Sequence, residues 1–78
     1  MNKALFEAAQ AKFGEVIGFD TRKAGDFVFL IKRSNPTFAD RPYMTVCGSM
    51  MDTNGASFYW GHYDMTQESA HNDFQERI

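Results

Sequence analysis

Residues 43–63 read YMTVCGSMMDTNGASFYWGHY, and this stretch decides the fold. Two runs rich in aromatic and β-branched residues, which favour strands, flank a short polar segment. Within that segment, Asn54-Gly55 tolerates the positive φ angles of a tight hairpin turn. The sequence therefore predicts an antiparallel hairpin, with one strand from residue 43 to about 50 and a return strand over residues 57–63.

The segments outside this hairpin predict two helices and at least one more strand. Apolar residues at helical spacing predict a helix from the cap Asn2 to about Phe13, followed by Gly14 at its end. Residues 27–31 (FVFLI) are apolar on both faces, which indicates a central strand. Residues 34–42 predict a loop, and Asp64 or Thr66 caps a C-terminal helix. Residues 15–23 fit either a short strand or an ordered loop.

Taken together, these elements predict a single α+β domain spanning residues 1–78. The expected sheet is antiparallel, with three or four strands, and a helix lies on each side of it in the sequence. We expect a sandwich of two layers, with both helices packed on one face of the sheet.

A two-residue turn at Asn54-Gly55 would also set which strand residues face each other. It pairs Val46 with Tyr63, Cys47 with His62, Gly48 with Gly61, and Met50 with Tyr59. Because side chains alternate between faces, one face then carries Met44, Val46, Gly48, Met50, Tyr59, Gly61 and Tyr63, and we expect it to form the core. The other face carries Tyr43, Thr45, Cys47, Ser49, Met51, Phe58, Trp60 and His62, and it is either open to solvent or covered by the N-terminal segment or the 34–42 loop.

An open second face would form an aromatic surface of the kind that anchors protein partners. Residues 42–78 carry one basic residue against five acidic ones, so the C-terminal half would attract a basic surface. These two features predict a partner-binding site that comprises Tyr43, Phe58, Trp60, His62, Asp64, Glu68, Asp73 and Glu76.

No motif of catalysis or cofactor binding stands out in the sequence. Cys47 beside His62, with Asp64 as an orienting group, would form a Cys/His pair, but a half-buried structural thiol is the commoner outcome. The spacing of Cys47, His62, Asp64 and His71 matches no zinc pattern, and the glycines form no phosphate-binding run. We therefore expect no enzyme, no cofactor and no metal.

Composition and charge exclude further classes of protein. The single cysteine allows no internal disulfide, and no run approaches a membrane span, so the sequence predicts a cytoplasmic protein. The formal net charge of −2 disfavours a dedicated nucleic-acid binder. A basic rim could still support binding of single-stranded nucleic acid next to Phe38, as the second hypothesis; its residues are Arg22, Lys23, Lys32, Arg33 and Arg41.

In size, acidity and short α/β character, the chain resembles small phage or mobile-element proteins that inhibit host machines, such as anti-CRISPR proteins. The resemblance covers overall character, so it transfers no functional residues. It implies a non-enzymatic inhibitor that occludes a basic surface of a larger, nucleic-acid-handling protein complex. A homodimer through the aromatic face is a further expectation, and a small Cys/His enzyme is the least favoured alternative.

Overall fold

A computed structural model describes residues 3–50 and 55–78 of the chain. In order, the elements are helix α1 (Lys3–Lys12), strands β1 (Gly14–Thr21), β2 (Phe27–Arg33), β3 (Tyr43–Met50) and β4 (Ala56–Met65), and helix α2 (Gln67–Arg77). The α+β class and the placement of the helices at the two ends of the strand region are confirmed. The ambiguous segment at residues 15–23 contains most of β1.

The four strands form one antiparallel sheet in the order β1-β2-β3-β4. Each strand pairs with its neighbour in the sequence, so β1 and β4 are the two edge strands. Strand β2 is central, as its apolar character on both faces predicts, and Val28, Phe29 and Ile31 are fully buried.

The two helices cover opposite faces of the sheet, which corrects the expectation of two layers with both helices on one face. Leu5 and Ala9 of α1 share a core with Phe29 and Ile31, whereas α2 packs against the alternate side chains of β2. The reason is the composition of β2: adjacent side chains point to opposite faces, and every one from Val28 to Ile31 is apolar. Both faces therefore need a cover.

The β3–β4 pairing differs from the predicted register. Cys47 faces Tyr59, Gly48 faces Phe58, and Met50 faces Ala56. From Met50 back to Cys47, the β4 partner thus lies three positions earlier than a two-residue turn would place it, and the offset falls to two at Thr45 and to one at Tyr43. The proposed turn itself falls largely on residues 51–54, outside the described residues.

A shift by an odd number of residues exchanges the faces of a strand. Phe58 therefore belongs to the α1 side, where its ring lies 5.3 Å from that of Phe13 and 5.9 Å from that of Phe29. Tyr59 lies on the α2 side opposite Cys47. The core assignment of β3 is confirmed at Met44, Val46 and Gly48, but the assignments of Phe58 to the outer face and of Tyr59 to the core are corrected.

The N-cap of α2 is Thr66, one of the two candidates from the sequence. Its backbone is extended, with φ −69° and ψ 164°, and its hydroxyl accepts a hydrogen bond from the Ser69 backbone N–H at 3.2 Å. This contact satisfies one of the free N–H groups in the first turn. Ala70 and Phe74 then form the apolar stripe that packs on the sheet.

Candidate functional site on strand β4

Strand β4 contains two bulges that interrupt its pairing with β3. The paired residues are Cys47 with Tyr59, then Thr45 with His62, then Tyr43 with Met65. At each step β3 advances two residues and β4 advances three, so β4 accommodates one extra residue in each interval. Bulges of this kind re-aim side chains and are common at sheet edges and next to functional sites.

Each bulge holds a residue with a left-handed backbone. Trp60 has φ 54° and Asp64 has φ 57°, and they are the two non-glycine residues with positive φ in the described part of the chain. A bulky side chain such as that of Trp60 rarely adopts this conformation, which costs about 1–2 kcal/mol, whereas aspartate adopts it more readily. Its presence twice within five residues means that surrounding contacts hold the edge segment in place.

The indole of Trp60 is the most exposed large apolar side chain described, at 65%. Two neighbours nevertheless fix its position. The guanidinium carbon of Arg22 lies 5.5 Å from the indole ring, within cation–π range, and the ring of Tyr59 meets it edge-on at 5.0 Å. Trp60 is therefore an exposed but ordered aromatic group.

Arg77, in the last turn of α2, ties the first bulge to the sheet. Its guanidinium donates to the Trp60 carbonyl oxygen at 2.5 Å and to the Cys47 sulfur at 3.0 Å. It also donates to Thr45 Oγ1 at 2.8 Å. One side chain thus links the end of α2, the buried interior of β3 and the backbone of Trp60.

Asp73, one turn before Arg77, holds the middle of β4 in the same way. The Thr45 hydroxyl donates to Asp73 Oδ2 at 2.5 Å, and His62 Nδ1 lies 2.9 Å from the same oxygen. Burial opposes ionisation of this carboxyl, but the hydrogen bonds from Thr45 and His62 outweigh it, so the pKa of Asp73 is held below its usual range. Asp73 therefore acts inside the protein rather than as a free surface charge.

A second set of contacts supports Trp60 from the β1–β2 turn. Arg22 Nη1 donates to both carboxylate oxygens of Asp26, at 3.1 and 2.9 Å, and Arg22 Nε donates to the Arg77 carbonyl oxygen at 3.3 Å. The Tyr59 hydroxyl donates to Asp26 Oδ2 at 2.6 Å. This hydrogen bond lowers the pKa of Asp26 and raises that of Tyr59.

The second bulge presents a further aromatic group at the same edge. Tyr63 is 48% exposed, and the guanidinium carbon of Arg33 lies 5.3 Å from its ring. Arg33 also forms a 3.5 Å ion pair with Asp64. Trp60 and Tyr63 thus repeat one arrangement, an exposed ring beside an arginine whose charge is balanced by an aspartate.

The structure separates the eight residues of the predicted partner site. Tyr43 packs among the apolar residues under α2, and Phe58 lies in the α1 core, so the expectation that both belong to one open face is corrected. Asp73 and Asp64 are held by internal contacts. Trp60, His62, Glu68 and Glu76 are exposed. Their role in binding stays a prediction.

The expected Cys47–His62 pairing is replaced by two others. Cys47 faces Tyr59, and His62 faces Thr45. Cys47 is fully buried, and this burial raises its pKa, which reduces the thiolate fraction needed for nucleophilic attack. Residues 3–50 and 55–78 contain no cluster of three or more His, Cys, Asp or Glu side chains suited to a metal ion.

The proposed basic rim loses two of its charges to internal pairs. Arg22 is neutralised by Asp26, and Arg33 by Asp64. Lys23, Lys32 and Arg41 remain exposed without an ion pair to any described residue. The positive surface available to a phosphate backbone is therefore smaller than the sequence suggests.

Sequence reasoning missed the residues that position the edge. Arg77 is recognisable as a favourable charge at the end of a helix, but its bonds to β3 and β4 depend on which face α2 covers. Arg22 and Asp26, four residues apart in a turn, give no signal that they meet Tyr59 and Trp60. Tyr63 was assigned to the core because of the predicted register.

Within the described residues, no helix has the length and apolarity required to cross a membrane. No protein family, curated protein or solved structure matches the chain. The geometry of the β4 edge is therefore the basis for any functional conclusion.

Proposed function

We propose that this protein is a non-enzymatic binding module that docks on a larger protein through the edge formed by Trp60, His62 and Tyr63. The observation that carries the proposal is Trp60 itself. Its indole is 65% exposed, yet its ring, its backbone carbonyl and the bulge beneath it are all held by named contacts. An ordered, exposed tryptophan on an edge strand favours recognition.

The contacts around Trp60 preorganise its side chain for binding. Tryptophan, tyrosine and arginine are enriched among the interface residues whose truncation to alanine lowers the binding free energy by about 2 kcal/mol or more. Ordering a side chain on binding costs about 0.5–1.5 kcal/mol. Because Arg22 and Tyr59 already restrict the indole in the free protein, its side chain loses less conformational entropy on binding.

The acidic residues of α2 that form no ion pair indicate the charge of the surface that a partner would present. Glu68 and Glu76 are exposed, and neither forms an ion pair with a described residue. Glu76 adjoins Arg77 and so lies near the Trp60 edge, whereas Glu68 lies about 12 Å further along the helix. The proposed partner therefore presents a basic surface to the edge, chiefly opposite Glu76.

The resemblance in size and acidity to small phage and mobile-element inhibitors selects the first partners to test. They are nucleic-acid-handling complexes, whose basic channels this acidic chain would occlude. Acidic side chains would accelerate the encounter, and the aromatic groups would supply the buried contact.

The test compares Trp60→Ala with Phe38→Ala, a matched control. Phe38 is 52% exposed but lies in the loop between β2 and β3. A partner isolated with the unaltered protein is purified, and its affinity is measured by calorimetry. We expect Trp60→Ala to weaken binding roughly 30-fold or more and Phe38→Ala to leave it within about twofold.

Equal affinities for the two variants would exclude the β4 edge. Salt-sensitive binding of single-stranded DNA, lost when Lys23 and Lys32 are replaced, would instead favour the nucleic-acid hypothesis. Sedimentation of the unaltered protein as a dimer that Trp60→Ala dissociates would identify a second copy as the occupant of the edge.

A further inference from the structure

A groove of about 760 Å³ lies beside the N-terminal half of α2, on the sheet face opposite α1. Its volume falls within the range typical of small-molecule sites, roughly 300–1,000 Å³. It is separate from the Trp60 edge, and none of the contacts that hold Trp60 involves its lining. The groove is lined by Glu15, Ile17, Leu30, Lys32, Tyr43, Gln67, Glu68, His71 and Asn72.

The floor of the groove is apolar because α2 covers this part of the sheet incompletely. Ala70 and Phe74 pack on the sheet, but Gln67 and His71, one turn apart along the helix, line the groove instead. Leu30 packs with Ala70 and Phe74, and Tyr43 lies against the same cluster, whereas the polar side chains of the helix leave Ile17 exposed. The floor consists of Ile17, Leu30 and Tyr43.

A bulge in β1 places Ile17 at the floor of the groove. Val16 pairs with Ile31 and Gly18 with Leu30, so Ile17 has no cross-strand partner. Its side chain is 43% exposed, which is high for isoleucine in a sheet. An unpaired residue that presents an apolar side chain to an open groove is the kind of re-aimed contact that bulges produce next to binding sites.

The rim carries opposite charges that form no ion pair with each other. Glu15 and Lys32 are directly opposed in the β1–β2 register, yet they form no ion pair. Glu68 also lines the groove. Within the part of the chain that the structure describes, none of these three side chains takes part in an ion pair or a side-chain hydrogen bond.

We propose that this groove binds a small zwitterion with an apolar side chain, of the chemical class of a free apolar or aromatic amino acid. The ammonium group is held by Glu15 and Glu68, the carboxylate by Lys32, and the apolar side chain lies on the floor. A ligand with only one charge would leave part of the rim unmatched. The groove shares Glu68 with the acidic surface of α2 but none of the three residues of the proposed docking edge.

The experiment titrates three probes that share one ring and differ in charge: L-phenylalanine, phenethylamine and 3-phenylpropionate. Binding is followed by ¹H–¹³C spectra of the methyl groups of Ile17 and Leu30. For about twelve heavy atoms at modest efficiency, we expect phenylalanine to bind with a Kd of about 1 mM. The singly charged probes are expected to bind more weakly.

Three variants, each of which removes one charge, test which side chain binds which charged group of the ligand. Glu68→Gln is expected to weaken binding of phenylalanine and phenethylamine about two- to fivefold and to leave phenylpropionate unaffected. Lys32→Gln is expected to weaken phenylalanine and phenylpropionate about equally. Glu76→Gln, an exposed acid on the same helix outside the groove, is the matched control and should change none of the three.

Several outcomes would overturn the assignment. They are the absence of methyl shifts at about 10 mM phenylalanine, equal affinity for all three probes, and an effect of Glu76→Gln as large as that of Glu68→Gln. All three variants alter exposed side chains, so they should keep the unfolding midpoint of the unaltered protein. Trp60→Ala should leave phenylalanine binding unchanged, which separates this test from that of the partner edge.

Discussion

The two faces of the sheet are built from different chemistry. The α1 face is apolar throughout: Leu5 and Ala9 pack on Phe29, Ile31 and neighbouring aromatic rings. The α2 face has a smaller apolar cluster around Val28 and Phe74, and beside it a network of hydrogen bonds centred on Arg77 and Asp73. One face is held by burial and the other largely by directed polar contacts.

The two faces therefore contribute differently to the stability and the geometry of the protein. Apolar burial is non-directional and stabilises the fold as a whole. A hydrogen-bond network adds less net free energy but specifies geometry, because a buried polar group without a partner is costly. In the described residues, every buried side-chain nitrogen or oxygen has a partner. The α2 face thus supplies the contacts that hold the first bulge of β4 at Trp60, whereas Arg33 pairs with Asp64 in the second bulge.

The largest effect is expected on the apolar face, from Phe29→Ala. Phe29 is fully buried, and its ring lies 4.8 Å from that of Phe19. Loss of a buried phenylalanine costs about 3–5 kcal/mol, comparable with the whole stability of a chain this small. Urea unfolding measures the loss. Phe38→Ala is the control and should stay within about 0.5 kcal/mol; similar losses for the two variants would contradict the assignment of Phe29 to the core.

A smaller effect is expected on the polar face, from Arg77→Met. The substitution keeps an apolar stem but removes the donors to Thr45 and to the Trp60 carbonyl oxygen, for a loss of about 1–3 kcal/mol. The indole N–H resonance of Trp60 should also shift. Arg41→Met, on an exposed loop residue, is the control. A stable variant with an unchanged indole resonance would show that Arg77 does not position the edge.

The hydrogen bond between Tyr59 and Asp26 predicts a pH dependence at both extremes. It lowers the pKa of Asp26, so this contribution is present above the unfolded carboxyl value and is lost as pH falls through the folded one. It raises the pKa of Tyr59, so its contribution is present below the unfolded phenol value and is lost as pH rises through the folded one.

Tyr59→Phe should therefore lower stability near neutral pH by about 1–2 kcal/mol and flatten both limbs of the pH profile. Thermal unfolding between acid and alkaline pH measures the profile. Tyr63→Phe, which removes an exposed hydroxyl from the same strand, should leave both limbs unchanged. A profile for Tyr59→Phe with its acid limb intact would contradict a role for this hydrogen bond.

The smallest effect is expected from Thr66→Ala at the start of α2. Removing the hydroxyl leaves the Ser69 N–H without its cap and should cost about 0.5–1 kcal/mol. Thr37→Ala, in the exposed loop after β2, is the control and should be neutral. If Thr66→Ala cost as much as Arg77→Met, local capping rather than the network would hold α2 on the sheet.

Elements with a strong local pattern were predictable from the sequence. The predicted helix from residue 2 to about 13 corresponds to α1, and the predicted strand at residues 27–31 lies within β2. The loop at residues 34–42 and the start of β3 also agree. Local propensity and apolar periodicity suffice here because each signal lies within one element.

The candidate site was only partly predictable. The sequence draws attention to the aromatic and acidic residues of the C-terminal half, and Trp60 is exposed, which is one of the two alternatives left open for its face. The predicted faces of Phe58 and Tyr59 are wrong. The assumed turn length determines which alternate residues of β4 point to each face, so an error of an odd number of residues exchanges the two faces. The left-handed residues of the two bulges, Trp60 and Asp64, are not glycines, and Gly61 within the first bulge is a weak local signal that does not specify the register.

By itself, the sequence determined the α+β class, the order of the elements and the central position of β2, because these follow from composition and periodicity along the chain. The tertiary structure decided which helix covers which face, the register of β4, and the meeting of Arg22, Arg77 and Trp60. Those features depend on contacts between residues up to 55 positions apart, such as Arg22 with Arg77, and no local pattern encodes such contacts.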